Sequence, residues 1–496
     1  MAEPSHSALH LLGDSTPSHT TQYLATLAAC LGGLVMGTGL GYSSPAGPLL
    51  MTNTTGETLH LTQQQYDWFM SSLNLGGVAG SLGGGLCTNQ LGRRPTMLLT
   101  GPLSLAGWAL IAFGQNFAML AAGRVLIGAS MGATCTAAPT YVGEVASPDI
   151  RGALASGHQL MITLGMLLAY FGGIYVSSWR WLAVICGAPN LLYIATVYFT
   201  RESPTFLLAK GKMREAAASL QHFRGARYDI EEELQMTKQS LEEGMHTRVT
   251  FKEVLKPYIL RPFLLCLTVF ATVQLSGAGA ILLNMAIIFQ ASGVRLDDNI
   301  NVVIVGVMQV VATGLSAVLM DRAGRRLLLV LSLSFMSLSL VALGEYFHLR
   351  ETDSVWTGER LGWLPLVSMC VFISSFALGP GPIAWVLLGE LLHPRVKEAT
   401  TGIVTLFSWG LGFVVNLTFL PLEDALGSDG IYLLFAAMAL CGLLVIVAGL
   451  PETKGKSLQE IAEHFGRPKY DPNRNAVEDD PEVYQGVNPR ENHFLK

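Results

Sequence analysis

Arginine and glutamate recur in this sequence at matched places. Gly92-Arg93-Arg94 returns as Gly324-Arg325-Arg326, 232 residues later. Glu144, in YVGEVASPDIRGA, returns as Glu390, in LLGELLHPRVKEA, 246 residues later. Glu202, in RESPTFLL, returns as Glu452, in PETKGKSL, 250 residues later. Guanidinium and carboxylate groups interleaved in this way do ion-pair chemistry. The candidates are Arg93, Arg94, Glu144 and Arg151, with Arg325, Arg326, Glu390 and Lys397 as their counterparts. An exposed pair is worth only about 0–1 kcal/mol. A network of such groups, partly shielded from water, could bias two conformations by about a few kcal/mol and so gate a path. Catalysis has no comparable signature. No nucleophile triad, metal-ligand spacing or phosphate loop stands out, and Gly83-Gly84-Gly85 falls inside an apolar run. The seven cysteines form no CxxC pair, which fits small buried hydrophobes. No cofactor, metal or nucleic acid is expected.

The elements that must position these groups are membrane spans. Only 14% of the 496 residues are charged, against about 25% in soluble domains. Residues 201–261 hold 20 of the 67 charges and residues 451–496 hold 16, so the remainder is strongly apolar. A span needs about 20 apolar residues. Twelve are read: 22–45, 66–88, 97–114, 117–142, 153–176, 181–200, 262–291, 299–320, 326–347, 363–391, 399–421 and 430–450. This divides the chain into a cytoplasmic N-terminus (1–21), a six-helix half (22–200), a charged helical linker (201–261), a second six-helix half (262–450) and a largely disordered cytoplasmic tail (451–496). Loops on the N-terminal side carry Arg93, Arg94, Arg151, Arg322, Arg325, Arg326, Arg395 and Lys397. The opposite loops carry Arg180, Arg295, Arg350 and Arg360, so the termini are expected inside. The polar first residues have no basic n-region, so the first span is read as uncleaved. The sequon at Asn53 falls outside and could carry a glycan. The one at Asn416 falls in a span and should stay unused. The matched motifs imply a duplicated six-helix unit with a binding site near the midplane. Ser276 to Gly279 and Gly379-Pro380-Gly381-Pro382 interrupt two spans, which makes Gly277, Gly279, Gly379, Pro380, Gly381 and Pro382 hinge candidates.

Taken together, NQLGRR (89–94), AGRVLIG (122–128), YVGEVASPDIRGA (141–153), GHQL (157–160), RESPTFLL (201–208), QLSG (274–277), DRAGRR (321–326), GPGPIAW (379–385) and PETKG (451–455) are specific. Over about residues 20–465 the sequence resembles the sugar porter family of the major facilitator superfamily. It resembles the animal facilitative glucose transporters and, most closely, their insect facilitated trehalose transporter relatives. The resemblance implies an all-α membrane protein of twelve helices in two halves. It also implies facilitative (uniport) movement of a neutral sugar, such as a hexose or trehalose, by alternating access. Two alternatives are a proton-coupled symporter and a non-transporting sugar sensor. A functional monomer in membrane lipid is expected, in the plasma membrane or an intracellular vesicle membrane. Leu11-Leu12 hints at a sorting signal, although Ser7 stands where an acid is usual.

By position in those motifs, the resemblance implies sugar contacts for Gln159, Gln274, Trp385 and Trp409. Gln309 and Asn284 join them as uncharged polar groups at positions of the same pattern. Interhelical hydrogen bonds and packing are the competing roles. Several positions depart from the pattern: Val273 replaces a Gln, Gly279 an Asn, Ala384 a Pro, and Leu283 and Asn284 stand where tyrosines are common. Ser408 stands where some relatives carry Asn. Symporters of the family carry an Asp early in the first span, where this chain has Gly39. His158 is expected to pack between helices.

Overall fold

The structure is a computed structural model that describes residues 18–51, 59–245, 256–392, 396–456 and 458–465. Asn53, Arg395, Leu11 and Leu12 lie outside the described residues.

Among the described residues, ten helical stretches are long and apolar enough to cross a membrane. One of them, Ala399–Gly449, runs 51 residues and turns at Gly427, where φ is 83°, so it holds two spans. Gln63–Gln90 is glycine-rich and less apolar. Its 28 residues still reach about 42 Å at 1.5 Å each, enough to cross. Twelve spans result. In chain order, spans 1 to 6 are Thr20–Met51, Gln63–Gln90, Arg93–Ala112, Phe117–Val145, Pro148–Tyr175 and Trp179–Tyr198. Spans 7 to 10 are Pro257–Ser292, Asp298–Ala323, Arg325–Thr352 and Leu364–Leu391, and spans 11 and 12 are the two arms about Gly427.

Local chemistry sets the ends. Thr62 and Gln65 form a reciprocal capping box at the start of span 2, with bonds of 3.3 and 3.1 Å. Asn116 accepts from Met119 N at the start of span 4. Small residues set the approach of the helices. Gly80 meets the Ala129 backbone of span 4, and Gly37 meets the Ile162 carbonyl of span 5, so no Cβ fits at either place.

Two of the interruptions foreseen by the sequence are real breaks. Span 7 divides into Pro257–Leu275 and Ala278–Ser292 at Gly277, in the left-handed region at φ 74°. Span 10 divides at Gly379 into Leu364–Leu378 and Pro380–Leu391. Gly279, Gly381 and Pro382 lie inside the helices that follow. At Tyr42 and Ala188 the backbone stays helical, so spans 1 and 6 run through.

Between spans 6 and 7 the chain forms helices Pro204–Ala209, Met213–Arg224 and Glu231–Met245. They dock on the first half. Arg224, 3% exposed, donates to Val145 O at 2.8 Å and pairs with Glu233 at 2.6 Å. The end of the bundle bearing these helices is called here the linker end, and the opposite one the far end.

The two halves are sealed at the far end. Tyr66 Oη donates to Asn284 Oδ1 at 3.2 Å, and Ala286 N donates to Ser44 Oγ at 3.0 Å. Trp68 lies against Phe413 with centroids 6.0 Å apart. Residues 77, 81 and 85 form one stripe of span 2, four residues apart. A Cβ on Gly77 would lie 2.6 Å from the Trp409 ring of span 11, while one on Gly85 would meet nothing within 4 Å. Contact between the halves therefore ends near mid-span, and the space between them opens toward the linker end.

Candidate functional site

The repeated charged motifs fold into two near-copies of one arrangement. In the first half Arg93 Nη2 and Nε donate to Glu144 Oε1 at 2.7 and 3.2 Å, and Nη1 donates to Thr88 O. In the second, Arg325 Nη2 and Nε reach Glu390 Oε1 at 3.1 and 3.2 Å, and Nη1 donates to Met320 O. Ser203 Oγ donates to the free oxygen of Glu144, and Thr453 Oγ1 does so to Glu390 at 2.6 Å. Arg94 donates to Tyr198 O and Arg326 to Val447 O. The pairs are mostly shielded, with exposures of 14% and 16% in the first and 15% and 26% in the second.

The structure differs in one respect from a network that locks the two halves together. Each ion pair lies inside one half, tying the ends of neighbouring spans of that half. Of the eight charged groups singled out by the sequence, four bond backbone instead: Arg94, Arg326, Arg151 to Ala146 O and Lys397 to Gly389 O. The reason is reach. With the linker end open, each side chain finds its nearest partner on its own half.

Sequence reasoning gave Glu202 and Glu452 no part in the network, although their repeat was visible. Both carboxylates receive the first backbone amides of a span. Glu202 accepts from Arg93 N and Arg94 N at 3.1 and 3.3 Å, and Glu452 from Arg325 N and Arg326 N at 2.9 and 3.1 Å. Glycine must precede each pair. Gly92 and Gly324 have φ of 115° and 92°, and a Cβ there would strike the Glu202 and Glu452 carboxylates.

The two carboxylates titrate in opposite directions. Burial pushes the Glu202 carboxyl above its ordinary range, against the amides that lower it. Burial acts on Glu452 too, but the amides of Lys454, Arg325, Arg326 and Thr453 outweigh it and hold that carboxyl below the ordinary range. Glu452 thus stabilises the fold above the ordinary carboxylate pKa, and this is lost as pH falls through its depressed value. Glu202 favours the fold below the ordinary carboxylate pKa, and this fades as pH rises through its raised value. Glu452→Gln is expected to lower the melting temperature at pH 7, with a deficit that shrinks toward about pH 4. Glu202→Gln is expected to cost less at pH 7. Equal deficits in thermal melts of the two variants would contradict this.

Midway between the halves, uncharged polar groups gather at the break of span 7. Gln274 Nε2 donates to Ser408 Oγ of span 11 at 3.0 Å. Trp409 follows on the same span, half-buried against Gly77. Trp385, 40% exposed, stands edge-on to Phe270 with centroids 5.1 Å apart. Gln159 is half-buried on span 5. Gln274 and Ser408 thus come together, while Trp409 turns to Gly77 of span 2 and Trp385 stands partly exposed beside Phe270. Asn284 and Gln309 sit elsewhere, each 3% exposed in the seam between the halves. Asn284 accepts from Tyr66 and donates to Ala280 O, and Gln309 Nε2 contacts Met166 Sδ at 3.9 Å. His158 packs on Gly33 of span 1, and neither ring nitrogen has a partner.

Within the spans, two buried ionisable residues escaped the sequence reasoning. Arg124, fully buried, donates to Gly39 O at 2.8 Å and Ser43 Oγ at 2.5 Å, with Phe69 under its guanidinium at 5.0 Å. Both partners are neutral oxygens. Asp67, 5% exposed, lies in the far-end seam beside Trp68. No local signal marks its burial, since it falls in the first turns of span 2, where an acid also suits the helix dipole.

Two six-helix halves, sealed at one end and parted at the other around a polar midplane, define a membrane transporter of the major facilitator fold. The chain belongs to the Sugar (and other) transporter family, whose model matches residues 25–465. It is 37% identical to the bovine (Bos taurus) solute carrier family 2, facilitated glucose transporter member 8, over 91% of this chain and 96% of that one. It is 32% identical to the facilitated trehalose transporter Tret1 of Apis mellifera ligustica, over 93% and 92%. Among solved structures it resembles the inward open xylose transporter XylE from E. coli, with a TM-score of 0.74 and 24% identity over 89% of this chain and 99% of that one.

Proposed function

We propose that this protein is a facilitative carrier, a uniporter, for a neutral sugar of the hexose or trehalose class. It works by alternating access as a multi-pass protein of the plasma membrane and changes no covalent bond. The linker end faces the cytoplasm, so the present conformation is open to the inside. Gln159, Gln274, Trp385 and Trp409 meet the sugar, and the breaks at Gly277 and Gly379 act as hinges. The observation that carries this reading is the uncharged polar cluster of Gln274 and Ser408 at the midplane break, near the parting of the halves. Carboxamides and hydroxyls suit sugar hydroxyls, and an open tryptophan face suits a sugar ring. Arg124 supports uniport, because its partners are a carbonyl and a hydroxyl that exchange no proton near neutral pH.

The test is uptake of a panel of radiolabelled sugars into proteoliposomes. At least one hexose or disaccharide is expected to enter at a rate that collapsing the proton gradient leaves unchanged. Gln274→Ala and Trp385→Ala are each expected to cut kcat/KM about tenfold or more, since a site built for hydroxyls discriminates through each partner. Failure of every sugar to move would overturn the proposal. Asp67, a buried carboxylate in the seam, is the observation that favours the second reading, proton-coupled symport. On that reading uptake would fall with the gradient, and Asp67→Asn would abolish the dependence.

A further inference from the structure

We propose that Asn416 is a specificity-determining residue of the sugar site, supplying from span 11 the carboxamide that span 7 lacks at Gly279. This rests on the sugar-carrier reading above. Asn416 is 6% exposed, and its Oδ1 is buried without a hydrogen-bond partner. A buried acceptor left unpaired costs about 1–3 kcal/mol, and such a group calls for an explanation, a water or a ligand among them. The surroundings of this oxygen point to that partner. A Cβ built on Gly279 would have only two atoms within 4 Å, Gln274 Oε1 at 3.8 Å and Asn416 Oδ1 at 4.0 Å. Gly279 therefore opens a space faced by two carboxamide oxygens. Gln274 is oriented by its bond to Ser408 and by close contact with Gly412, whose built Cβ would lie 3.3 Å from Oε1. One N–H of its Nε2 goes to Ser408, which sets the amide so that Oε1 borders the space at Gly279.

A space with two carbonyl acceptors and no charge asks for a ligand rich in neutral hydroxyl donors. It lies two residues past the break of span 7, beside the parting of the halves. An Asn side chain at 279 would grow into the region that the Asn416 carboxamide now borders. Gly279 and Asn416 are thus complementary: one removes a side chain and the other reaches into the space from the facing helix. The sequence disguised Asn416 as half of an unused glycosylation sequon.

The test compares purified wild-type protein with Asn416→Leu, Asn416→Ala and the double variant Gly279→Asn/Asn416→Ala. Leucine keeps the volume and removes the orphan acceptor, so the melting temperature is expected to hold or rise. For the transported sugar, KM is expected to rise about tenfold in both single variants. The melting shift produced by adding sugar is expected to shrink in parallel, which reads binding without transport. Single-deoxy analogues then locate the contact: one hydroxyl position matters in the wild type and stops mattering in the leucine variant. Gly279→Asn/Asn416→Ala is expected to recover part of the lost affinity. A folded leucine variant with wild-type KM and an unchanged deoxy-sugar pattern would overturn the inference while leaving the carrier reading intact. A wild-type protein that moves and binds no sugar would overturn both.

Discussion

Gly277→Ala is expected to destabilise the protein severely, whereas Gly279→Ala, two residues on, is expected to fold and melt like the wild type. Gly277 sits at φ 74°, where a side chain costs about 1–2 kcal/mol through its clash with the following carbonyl. Its added Cβ would also overlap the Phe435 ring of span 12, with Cγ at 2.7 Å and two further ring atoms closer still. That ring is stacked on Phe419 with planes 7° apart and is only 5% exposed, so it has little room to withdraw. Overpacking of this kind adds about 1–3 kcal/mol. The sum is a large fraction of the roughly 5–15 kcal/mol by which proteins are stable. Gly279 has an ordinary backbone and open space, so its methyl group meets nothing closer than 3.8 Å. Thermal melts of the two variants in detergent check the contrast. Equal melting temperatures would show that the break in span 7 does not depend on the glycine at 277.

The second large effect concerns the paired arginines. Arg93→Ala and Arg325→Ala are each expected to lower the initial rate of sugar uptake about tenfold, which corresponds to about 1.4 kcal/mol. Each guanidinium holds a carboxylate through two nitrogens and a backbone carbonyl through a third, and Arg93 also covers the Phe206 ring at 5.0 Å. Truncation leaves Glu144 or Glu390 mostly shielded from water with one hydroxyl partner. The location of the pairs decides what the double variant does. Both ion pairs close inside their own half, each tying the ends of two neighbouring spans. Effects at separate sites without shared partners add. Arg93→Ala/Arg325→Ala is therefore expected to lose about the product of the single losses. A latch between the halves would instead be broken already by either change, and the double variant would match the worse single one. Wild-type uptake in both singles would remove the network from the transport cycle.

By itself the sequence determined the spans, their division into two halves and the motifs that link those halves. Hydropathy and spacing are properties along one dimension, and twelve apolar runs with three motifs in matched order need no knowledge of neighbours. It also determined that Arg93, Glu144, Arg325 and Glu390 belong to one repeated chemistry, because duplication preserves order. The tertiary structure alone decided who faces whom. One step along a helix turns a side chain by about 100°, so neighbours in sequence part company in space. Gln274 enters the midplane cluster while Asn284 closes the far-end seam. Gly277 meets a ring and Gly279 meets a space. Glu202 and Glu452, visible in the sequence only as a matched pair, prove to be caps for spans 3 and 9, because the loops return them to those helix ends. Asp67, Arg124 and Asn416 owe their burial to packing across helices distant in sequence, and such contacts leave no local periodicity to read.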